Sequence, residues 1–538
     1  MTGGGRVQLA GMAKTDVIVV GTGPCGMMLS LLLARFGVKT LLLDRRSGLS
    51  AHPKAMSLTR RTVEIFRSLG LEQHLKMGCI AREGREQAVW FRADLCGEEL
   101  GNEQALPDNV EGSPCPMLHC PQNWTERVLF DALRLEDKVQ IRFDADVVGV
   151  SQEVETGVEV TLADGGKLEA DWLVAADGAR STVRRLVEIE AAGPGELGHF
   201  LNIQFRALIF DRLKLRPAMV YHVLGDDAYG SFVTVDGNAR WLLHYFLKGE
   251  EMGCEFDEAS LQEIVQRFSG LSDLTVEIMG VTRWVMSPKV AASWQAGRVI
   301  LVGDAAARLS PAGGIGLNVG LQGAHNLGWK LAGVVRGEFS EKILESYELE
   351  RRPVALKAME ISNRCAEDIF ALMAIASRRD WESVRAKVAK KAAEGAFDEL
   401  DFAVRYLEGA LVASECSQPS EGNTGESTMG SPGTRFPNLR ERGGQFLLDR
   451  LGMGRFTLLA GRSFVGPDSG LPHFVECLVN RNDFDVVEFE RFCGISDTGA
   501  ILVRPDGIIC RRWRELCERE GGSGGCQLEV LRKIGWKG

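Results

Sequence analysis

Near the start of the chain, two short apolar runs flank one longer apolar stretch, between residues 16 and 43. Residues 16–20 contain the β-branched run VIVV and lead into Gly21, which is typical of a buried strand. Residues 27–36 have the length and the apolar face of a helix, and residues 39–43 again have the composition of a buried strand. This order predicts a βαβ unit with parallel strands and a right-handed crossover.

Further along the chain the pattern changes to short alternating strands. Residues 139–176 and 200–247 contain several of them, and the turn Asp236–Gly237 precedes the run RWLLHYFL. This block is antiparallel in character. A buried strand returns at residues 298–303, a helix follows at residues 317–336, and more helix is expected to about residue 410. The pattern predicts an α/β fold with an additional antiparallel sheet.

The same pattern divides the chain into units. Residues 413–434 are rich in Ser, Gly, Pro and Glu and are typical of a linker. The expected units are a flexible extension at 1–13, an α/β domain at 14–190 and 281–410, a β-sheet domain at 191–280 to which parts of 80–120 contribute, a linker at 411–434, a C-terminal domain at 435–520, and a tail at 521–538.

Composition excludes several classes of protein. The 538 residues are 45% hydrophobic and 25% charged, with a formal net charge of −10, so general binding to nucleic acid is not expected. No uncharged apolar run reaches the length of a membrane span. The 13 cysteines are odd in number and have no C-x-x-C spacing, which predicts free thiols, no metal site and a cytoplasmic protein without a cleaved signal.

A glycine-rich segment follows the first predicted strand. In the sequence GTGPCG, Gly21 permits a tight turn, Gly23 lets the backbone approach a pyrophosphate, and Gly26 allows close packing of helix on strand. The positive end of the following helix would face the phosphates. Asp44 ends the next strand and can accept hydrogen bonds from a ribose. The context predicts dinucleotide binding, and the alternative is a structural turn.

Two later segments also follow buried strands. Residues 172–176 lead into Asp177 and Gly178, and a basic cluster that includes Arg180 comes next. Residues 298–303 deliver Asp304 to a strand end, where open α/β sheets bind their ligands. The segment PAGGIGLN at 311–318 then feeds the long helix with free backbone N–H groups that can face a ligand. A solvated basic turn and a glycine-rich helix cap are the alternatives.

Together these segments resemble the class A flavoprotein aromatic hydroxylases, a family that includes p-hydroxybenzoate hydroxylase, phenol hydroxylase and the aromatic polyketide hydroxylases. The resemblance covers roughly residues 15–410. It is carried by GTGPCG (21–26), HPKA (52–55), RTVEIF (61–66), PQNWTERVL (121–129), ADGARS (176–181), GDAA (303–306), PAGGIGLN (311–318), QGAHNLGWKLA (322–332) and SYELERRPVA (346–355). TRFPNL (434–439), GRFTLLAG (454–461) and ILVRPDGIICRRW (501–513) resemble the thioredoxin-like domain of some members, without C-x-x-C.

The resemblance implies a Rossmann-type FAD-binding domain, an antiparallel-sheet substrate domain and a C-terminal thioredoxin-like domain. It also implies cofactor contacts position by position. The implied FAD-binding residues are Gly21, Gly23, Pro24, Cys25 and Gly26 at the pyrophosphate, Asp44 at the ribose, Arg45 near the adenine, Lys54 near the phosphates, Gln122 on the flavin side, Asp177 and Asp304 along the cofactor, and Pro311, Gly314, Gly316, Leu317 and Asn318 around the isoalloxazine ring.

The activity implied by the resemblance is an NAD(P)H-dependent monooxygenation. NAD(P)H would reduce FAD, O2 would form a flavin C4a-hydroperoxide, and one oxygen atom would pass to a phenolic or polyketide-type aromatic substrate. No side chain can be assigned as the catalytic base. Candidate substrate contacts are the aromatic and His residues of the antiparallel block, Phe205, Tyr221, His222, Phe232, Trp241, His244 and Tyr245.

Two positions depart from the family pattern, and alternatives remain open. Ala307 stands where the family usually has His, and Gly323 stands where it usually has Asp. The alternatives are Baeyer–Villiger or epoxidising oxygenation, a flavin halogenase or reductase, and a non-catalytic FAD-binding protein. The halogenase motif W-x-W-x-I-P is absent. The sequence leaves the substrate, the choice between NADH and NADPH and the oligomeric state open, a homodimer being one option.

Overall fold

A computed structural model of the chain describes residues 15–80, 89–103, 113–153, 157–215, 218–225, 229–394, 404–411, 430–440, 444–451, 454–463, 472–479, 493–514 and 525–537. The expected extension at 1–13 and most of the expected linker at 411–434 lie outside these residues.

The strands of the described residues follow in chain order. They are β1 (Thr15–Val20), β2 (Thr40–Leu43), β3 (Ser57–Leu58), β4 (Val89–Arg92), β5 (Glu99–Glu103), β6 (Leu118–His119), β7 (Val139–Arg142), β8 (Val147–Glu153), β9 (Gly157–Leu162), β10 (Lys167–Ala175), β11 (Ala191–Ala192), β12 (Gly198–Arg206), β13 (Val220–Val223), β14 (Gly230–Thr234), β15 (Arg240–Phe246), β16 (Glu277–Met286), β17 (Lys289–Ala291), β18 (Gln295–Ala296), β19 (Val299–Leu301), β20 (Ala307–Arg308), β21 (Phe456–Ala460), β22 (Val475–Val479), β23 (Ala500–Val503) and β24 (Ile509–Trp513).

The α-helices of the same residues are α1 (Pro24–Arg35), α2 (Arg60–Ser68), α3 (Glu72–Gly78), α4 (Gln122–Leu133), α5 (Thr182–Leu186), α6 (Ile209–Arg212), α7 (Glu258–Ser269), α8 (Gly316–Val335), α9 (Glu345–Ala376), α10 (Trp381–Glu394) and α11 (Gly525–Lys533). Short 3-10 helices lie at Gly249–Glu251, Gly303–Ala305, Glu341–Leu344 and Leu447–Asp449.

The first sheet has a parallel core in the order β19, β10, β1, β2 and β7, to which β18, β9 and β8 add antiparallel pairs. Helix α1 crosses from β1 to β2 as the sequence predicts. It begins at Pro24 rather than at residue 27, because Gly23 is its N-cap and proline is favourable in the first turn. Nearly all of α1 is buried, which places it between this sheet and α8.

The second sheet has the order β16, β12, β15, β14, β13, β4 and β5. All of its pairs are antiparallel except β4 with β13, which are parallel. In the block at 200–247, where the sequence predicts only short strands, the first strand, β12, ends at Arg206, opposite Arg240 at the start of its partner β15, and the short helix α6 follows at Ile209–Arg212. Helix α7 packs against one face of this sheet.

The C-terminal part forms a third sheet in the order β22, β21, β23 and β24. Strands β21 and β22 are parallel, and the other two pairs are antiparallel. Within the expected tail, α11 is a helix, and Val530, Leu531 and Ile534 are buried in the same core cluster as the first sheet. The end of the described chain is therefore packed onto the α/β core.

A buried cluster of charges joins the C-terminal sheet to the helices beneath it. Arg504 donates hydrogen bonds to both carboxylate oxygens of Glu350 on α9 and to Asp506. Lys330 on α8 donates to Glu350 at 2.8 Å and to Asn326 at 2.9 Å. Both ion-paired cations and Glu350 are fully buried. The contact between the two parts is thus ionic as well as apolar.

Candidate active site

The loops that carry the sequence motifs meet at one edge of the first sheet. Strands β1, β2, β10 and β19 are parallel neighbours, so their carboxyl ends lie side by side. Backbone hydrogen bonds continue past the strand ends: Gly21 N–H donates to the Leu43 carbonyl at 2.7 Å, and Ala176 N–H donates to the Val20 carbonyl at 2.8 Å. Residues far apart in the sequence therefore form one crevice.

The glycines of the first loop have three different environments. Gly21 has a φ of +112°, which side-chain-bearing residues rarely adopt. A Cβ at Gly26 would lie 2.0 Å from the Gly21 carbonyl oxygen, so Gly26 is required for packing within the loop. A Cβ at Gly23 would meet no atom within 4 Å. The space at Gly23, at the N-terminus of α1, fits an approaching pyrophosphate of FAD.

Asp44 is already held by protein donors at the end of β2. It accepts hydrogen bonds from the Thr22 backbone and hydroxyl at 2.8 and 2.7 Å, and from the Arg46 backbone and guanidinium. Burial raises the pKa of Asp44, but these donors outweigh it and lower the pKa to about 2. Sequence reasoning missed Thr22 and Arg46, while the adjacent Arg45 is exposed.

Asp177 caps the short helix α5. One carboxylate oxygen accepts from the backbone N–H groups of Thr182 at 2.7 Å and Val183 at 3.0 Å. The other oxygen is buried and has no partner among the described residues. Arg184 donates to the Ala305 carbonyl at 3.0 Å, which ties this loop to the loop after β19. The orphaned oxygen of Asp177 is an acceptor that a bound ligand can use.

Asp304 lies in the short 3-10 turn directly after β19, at the carboxyl edge of the first sheet. Its side chain is accessible to solvent, yet the surrounding protein raises its pKa by desolvation. Lys54 and Arg308 act in the opposite direction through their positive charges. A solvent-accessible carboxylate that feels the charge of two cations is placed to meet a polar ligand. Arg308 was not among the sequence candidates.

Gln122 and Glu126 form one wall beside Lys54, at the start of α4. Gln122 donates to Glu126 at 2.8 Å and its side-chain oxygen accepts from the Ala55 backbone at 3.4 Å. Burial raises the pKa of Glu126, while Gln122 and Lys54 lower it. The second oxygen of Glu126 has no partner among the described residues. This wall thus offers a second unused acceptor.

The segment from Pro311 to Asn318 forms an open loop that leads into α8. Gly314 N–H donates to the Pro311 carbonyl at 3.0 Å, and Gly313 and Gly314 have φ values of +87° and +67°. Pro311, Gly313 and Gly314 are exposed. The Asn318 side chain accepts from the Thr59 backbone at 2.8 Å and donates to the Gly314 carbonyl at 3.2 Å. Asn318 therefore holds the loop, while Gly316 and Leu317 form the first turn of α8.

Cys25 and the two departures from the family pattern lie beneath these loops. Cβ atoms built at Gly303 and Gly320 would lie 2.9 and 2.7 Å from the Cys25 sulfur, so Cys25 packs between the loop after β19 and α8. Burial raises the pKa of its thiol. Ala307 is a strand residue of β20, and a Cβ at Gly323 would lie 3.6 Å from the Tyr347 hydroxyl.

The second sheet presents a row of polar side chains on one face. Asn202, His244, Ser231 and His222 lie directly opposite one another on β12, β15, β14 and β13, and we call these four residues the polar row. His222 Nδ1 lies 2.8 Å from the hydroxyls of both Ser231 and Tyr229. Burial lowers the pKa of His222 to about 3 and that of His244 to about 4, so both rings are neutral near pH 7.

The alternation of the strands divides the aromatic candidates between the two faces. His222 and His244 are on the face of the polar row. The others point to the opposite face, where they form the apolar core beneath α7 (Phe205, Tyr221, Phe232, Trp241 and Tyr245). Their assignment as substrate contacts is wrong, because burial on that face removes them from the crevice.

Two loops that belong to the motif segments pack beside the polar row. Met56 contacts Val233 and Leu242 on one side. On the other side, Ala312 of the glycine-rich loop packs against the cluster that contains Met286. The row therefore faces the crevice that the motif loops form.

Neither a bilayer-spanning helix nor a metal-binding cluster of His, Cys, Asp and Glu occurs in the described ranges. The orphaned acceptors, the open position at Gly23 and the accessible carboxylate of Asp304 fit a polar organic cofactor such as FAD.

Comparisons with known proteins agree with this geometry. A family model described as FAD binding domain matches residues 14–362. The chain is 30% identical over 533 residues to tetracenomycin B2 monooxygenase-dioxygenase of Streptomyces olivaceus, which covers 93% of this chain and 95% of that protein. It is 29% identical to 2,4-dichlorophenol 6-monooxygenase of Delftia acidovorans, with 98% and 99% covered. The solved structure of the flavin-dependent monooxygenase PieE, in complex with FAD and substrate, has a TM-score of 0.86 at 26% identity and covers 98% of this chain and 99% of that chain.

Proposed function

Since the chain belongs to the family of proteins with this FAD binding domain, we propose that it is an FAD-dependent, NAD(P)H-dependent monooxygenase that hydroxylates an aromatic substrate. One observation carries the proposal: the motif loops form a crevice at the carboxyl edge of the first sheet, and the polar row of the second sheet faces it. Cofactor and substrate would thus meet at the loop that contains Gly314.

The cofactor contacts are part of the proposal. The backbone from Gly21 to Gly26, including Gly23, Pro24 and Cys25, would hold the pyrophosphate at the N-terminus of α1. The ribose would compete for the Asp44 oxygens that the protein now occupies. The remaining proposed contacts are Arg45, Lys54, Gln122, Asp177, Asp304, Pro311, Gly314, Gly316, Leu317 and Asn318.

Bound FAD would supply the hydride acceptance and oxygen activation that no side chain provides, with NAD(P)H as the reductant and O2 as co-substrate. The chain's own residues orient the ring and exclude water. The glycine-rich loop and the N-terminus of α8 would present backbone N–H groups to bound FAD, where they would stabilise negative charge. The polar row orients the substrate from the other side.

The dimensions of the polar row favour a substrate with several rings. His222 and His244 are two strands apart, which is roughly 10 Å at the usual strand spacing. A ligand that contacts both must be longer than one benzene ring, as an aromatic polyketide is. Named relatives act on both classes, a tetracenomycin and a chlorophenol.

The wider architecture completes the proposal. The domain at 14–190 and 281–410 would be the Rossmann-type FAD-binding domain, and the second sheet would be the substrate domain. The mixed order β22, β21, β23 and β24 supports a thioredoxin-like C-terminal domain. Two of its described cysteines are buried, and burial raises the pKa of their thiols, which supports a structural role (Cys493 and Cys510). We place the enzyme in the cytoplasm, with a homodimer as the oligomer to test.

The experiment is a screen of phenols and aromatic polyketides for stimulated NAD(P)H consumption by the FAD-loaded enzyme, with product mass recorded. We expect a product that has gained one oxygen atom as a ring hydroxyl. A lactone or an epoxide would establish Baeyer–Villiger or epoxidising chemistry instead. FAD uptake without any stimulated NAD(P)H consumption would favour a non-catalytic FAD-binding protein.

Flavin occupancy tests the cofactor site separately. Asp304→Ala should purify with little or no yellow colour. Its matched control is Asp273→Ala, because Asp273 is an exposed aspartate of the second domain that pairs with Arg212. Full flavin occupancy of Asp304→Ala would contradict the assigned position of Asp304.

A further inference from the structure

A tryptophan fixes the orientation of the amide at one end of the polar row. The indole Nε1 of Trp284 on β16 lies 2.6 Å from the Asn202 side-chain oxygen. Tryptophan is only a donor, so this amide atom must be the oxygen that accepts. Trp284 is itself held by stacking on Phe200, with 4.5 Å between the ring centroids and 9° between the planes.

The fixed amide in turn determines the tautomer of His244. His244 Nδ1 lies 2.8 Å from the same Asn202 oxygen. Because that oxygen can only accept, Nδ1 must carry the proton. Burial lowers the pKa of His244 to about 4, so the ring is neutral near pH 7 and has one proton. Its Nε2 therefore has a free lone pair.

The free Nε2 has no hydrogen-bond partner among the described residues, and the His244 ring is partly accessible to solvent. Its side of the sheet packs against Met56 and, through the cluster of Trp284, against Ala312 of the glycine-rich loop. His52 lies close enough to lower the pKa of His244 further. His244 thus presents an acceptor inside the crevice.

We propose that Nε2 of His244 accepts a hydrogen bond from a free hydroxyl group on the aromatic substrate, and that Asn202 and Trp284 are positioning residues that hold this tautomer. The inference rests on the proposed function and adds the requirement for a free hydroxyl. A methyl ether at the same place has no proton to donate and brings its methyl group against Nε2. The enzyme should select phenols over their ethers.

The tautomer can be measured without catalysis. In ligand-free protein labelled with 15N-histidine, the His244 signals are identified by their loss in His244→Gln. We expect a proton on Nδ1 and none on Nε2. Trp284→Phe keeps the aromatic ring but removes the donor, so it should give a mixture of tautomers. A proton on Nε2 in the unsubstituted protein would overturn the proposal.

Ligand selection is measured by titrating FAD-loaded protein with 2-naphthol and with 2-methoxynaphthalene, using the change in flavin absorbance. The unsubstituted protein should bind the naphthol roughly ten- to a hundredfold more tightly than the ether, since a buried acceptor otherwise stays unpaired. His244→Phe should bind the two ligands equally. The control His199→Gln, whose side chain leaves the neighbouring strand β12 on the face opposite to Asn202, should keep the selection.

The outcomes separate this inference from the proposed function. If the unsubstituted enzyme produces hydroxylated aromatics but His244→Phe keeps the full preference for naphthol over ether, the role of His244 is overturned while the function stands. If the protein takes up no FAD, or if no substrate stimulates NAD(P)H consumption, the proposed function fails. The tautomer measurement then still decides the geometry of His244. Should His244→Phe not fold, the ligand titration is made with Trp284→Phe. Its mixed tautomers should weaken the preference for the naphthol over the ether, and an undiminished preference would overturn the role of His244.

Discussion

Replacing Arg504 by Met would remove the cation that lies between two buried carboxylates. Arg504 donates to Glu350 at 2.7 and 2.8 Å through two guanidinium nitrogens and to Asp506 at 2.9 Å through the third. The Met side chain keeps an apolar chain of similar length in the same space. Glu350 would then keep its ion pair with Lys330 but lose the one with Arg504. Asp506 would lose its ion pair with the Arg504 guanidinium.

The expected loss in the free energy of unfolding can be judged in two ways. Removing one partner of a buried ion pair costs about 3–5 kcal/mol. Burial raises the pKa of Glu350, but Arg504 and Lys330 outweigh it and lower the pKa from 4.5 to about 2. This shift corresponds to about 3 kcal/mol for the contributions of Arg504, Lys330 and Asn326 together. Because the folded-state pKa is lowered, this stability is complete above about pH 4.5 and is lost as the pH falls toward 2.

The assay is urea denaturation of Arg504→Met and the unsubstituted protein at pH 7 and at stepwise lower pH. We expect the difference in unfolding free energy to be about 3–5 kcal/mol at pH 7 and to shrink toward pH 2. Arg212→Met is the matched control, since Arg212 pairs with Asp273 while 44% and 70% of the two side chains are exposed, and it should cost under about 1 kcal/mol. A loss in Arg504→Met no larger than in the control would refute the reasoning.

Two further predictions concern the cofactor loop. Gly26→Ala should lower the melting temperature and the FAD affinity together, because its Cβ would lie 2.0 Å from the Gly21 carbonyl oxygen. Gly23→Ala should leave the melting temperature of the FAD-free protein unchanged and weaken FAD binding at least tenfold by calorimetric titration; unchanged affinity would contradict the pyrophosphate position. Asp44→Asn should flatten the acid limb of thermal stability between about pH 4 and 2, because the lowered pKa of Asp44 makes its stabilisation disappear in that range; an unaltered limb would show that Asp44 does not contribute.

The βαβ unit was predictable because its signals are local. The apolar run before Gly21, the glycine spacing and Asp44 at the next strand end all lie within 30 residues of chain, and the parallel sheet then brings the later strand ends alongside. Helix α8 is likewise close to its predicted range, since its apolar spacing is regular.

The pairing of strands that are distant in the sequence, and which face of the second sheet forms the core, could not be predicted from local signals. The parallel pairing of β4 with β13 joins segments about 130 residues apart and leaves no local signal. Alternation shows that Tyr221 and His222 point to opposite faces, but only the packing of α7 decides which face is the core. The hydrogen bonds of Arg46 to Asp44 depend on side-chain geometry that the pair Arg45–Arg46 does not reveal.

The charge cluster around Glu350 makes the C-terminal sheet a poor candidate for exchange between related enzymes. Its arginine comes from one end of the chain, and the carboxylate and the lysine come from the two long helices beyond the cofactor loop. A chimera that imports a foreign terminus must therefore bring a matching cation, or it will leave an anion stranded in the interior. A chimera joined anywhere between residues 350 and 504 would separate Arg504 from Glu350, even though the junction itself lies away from the ion pair.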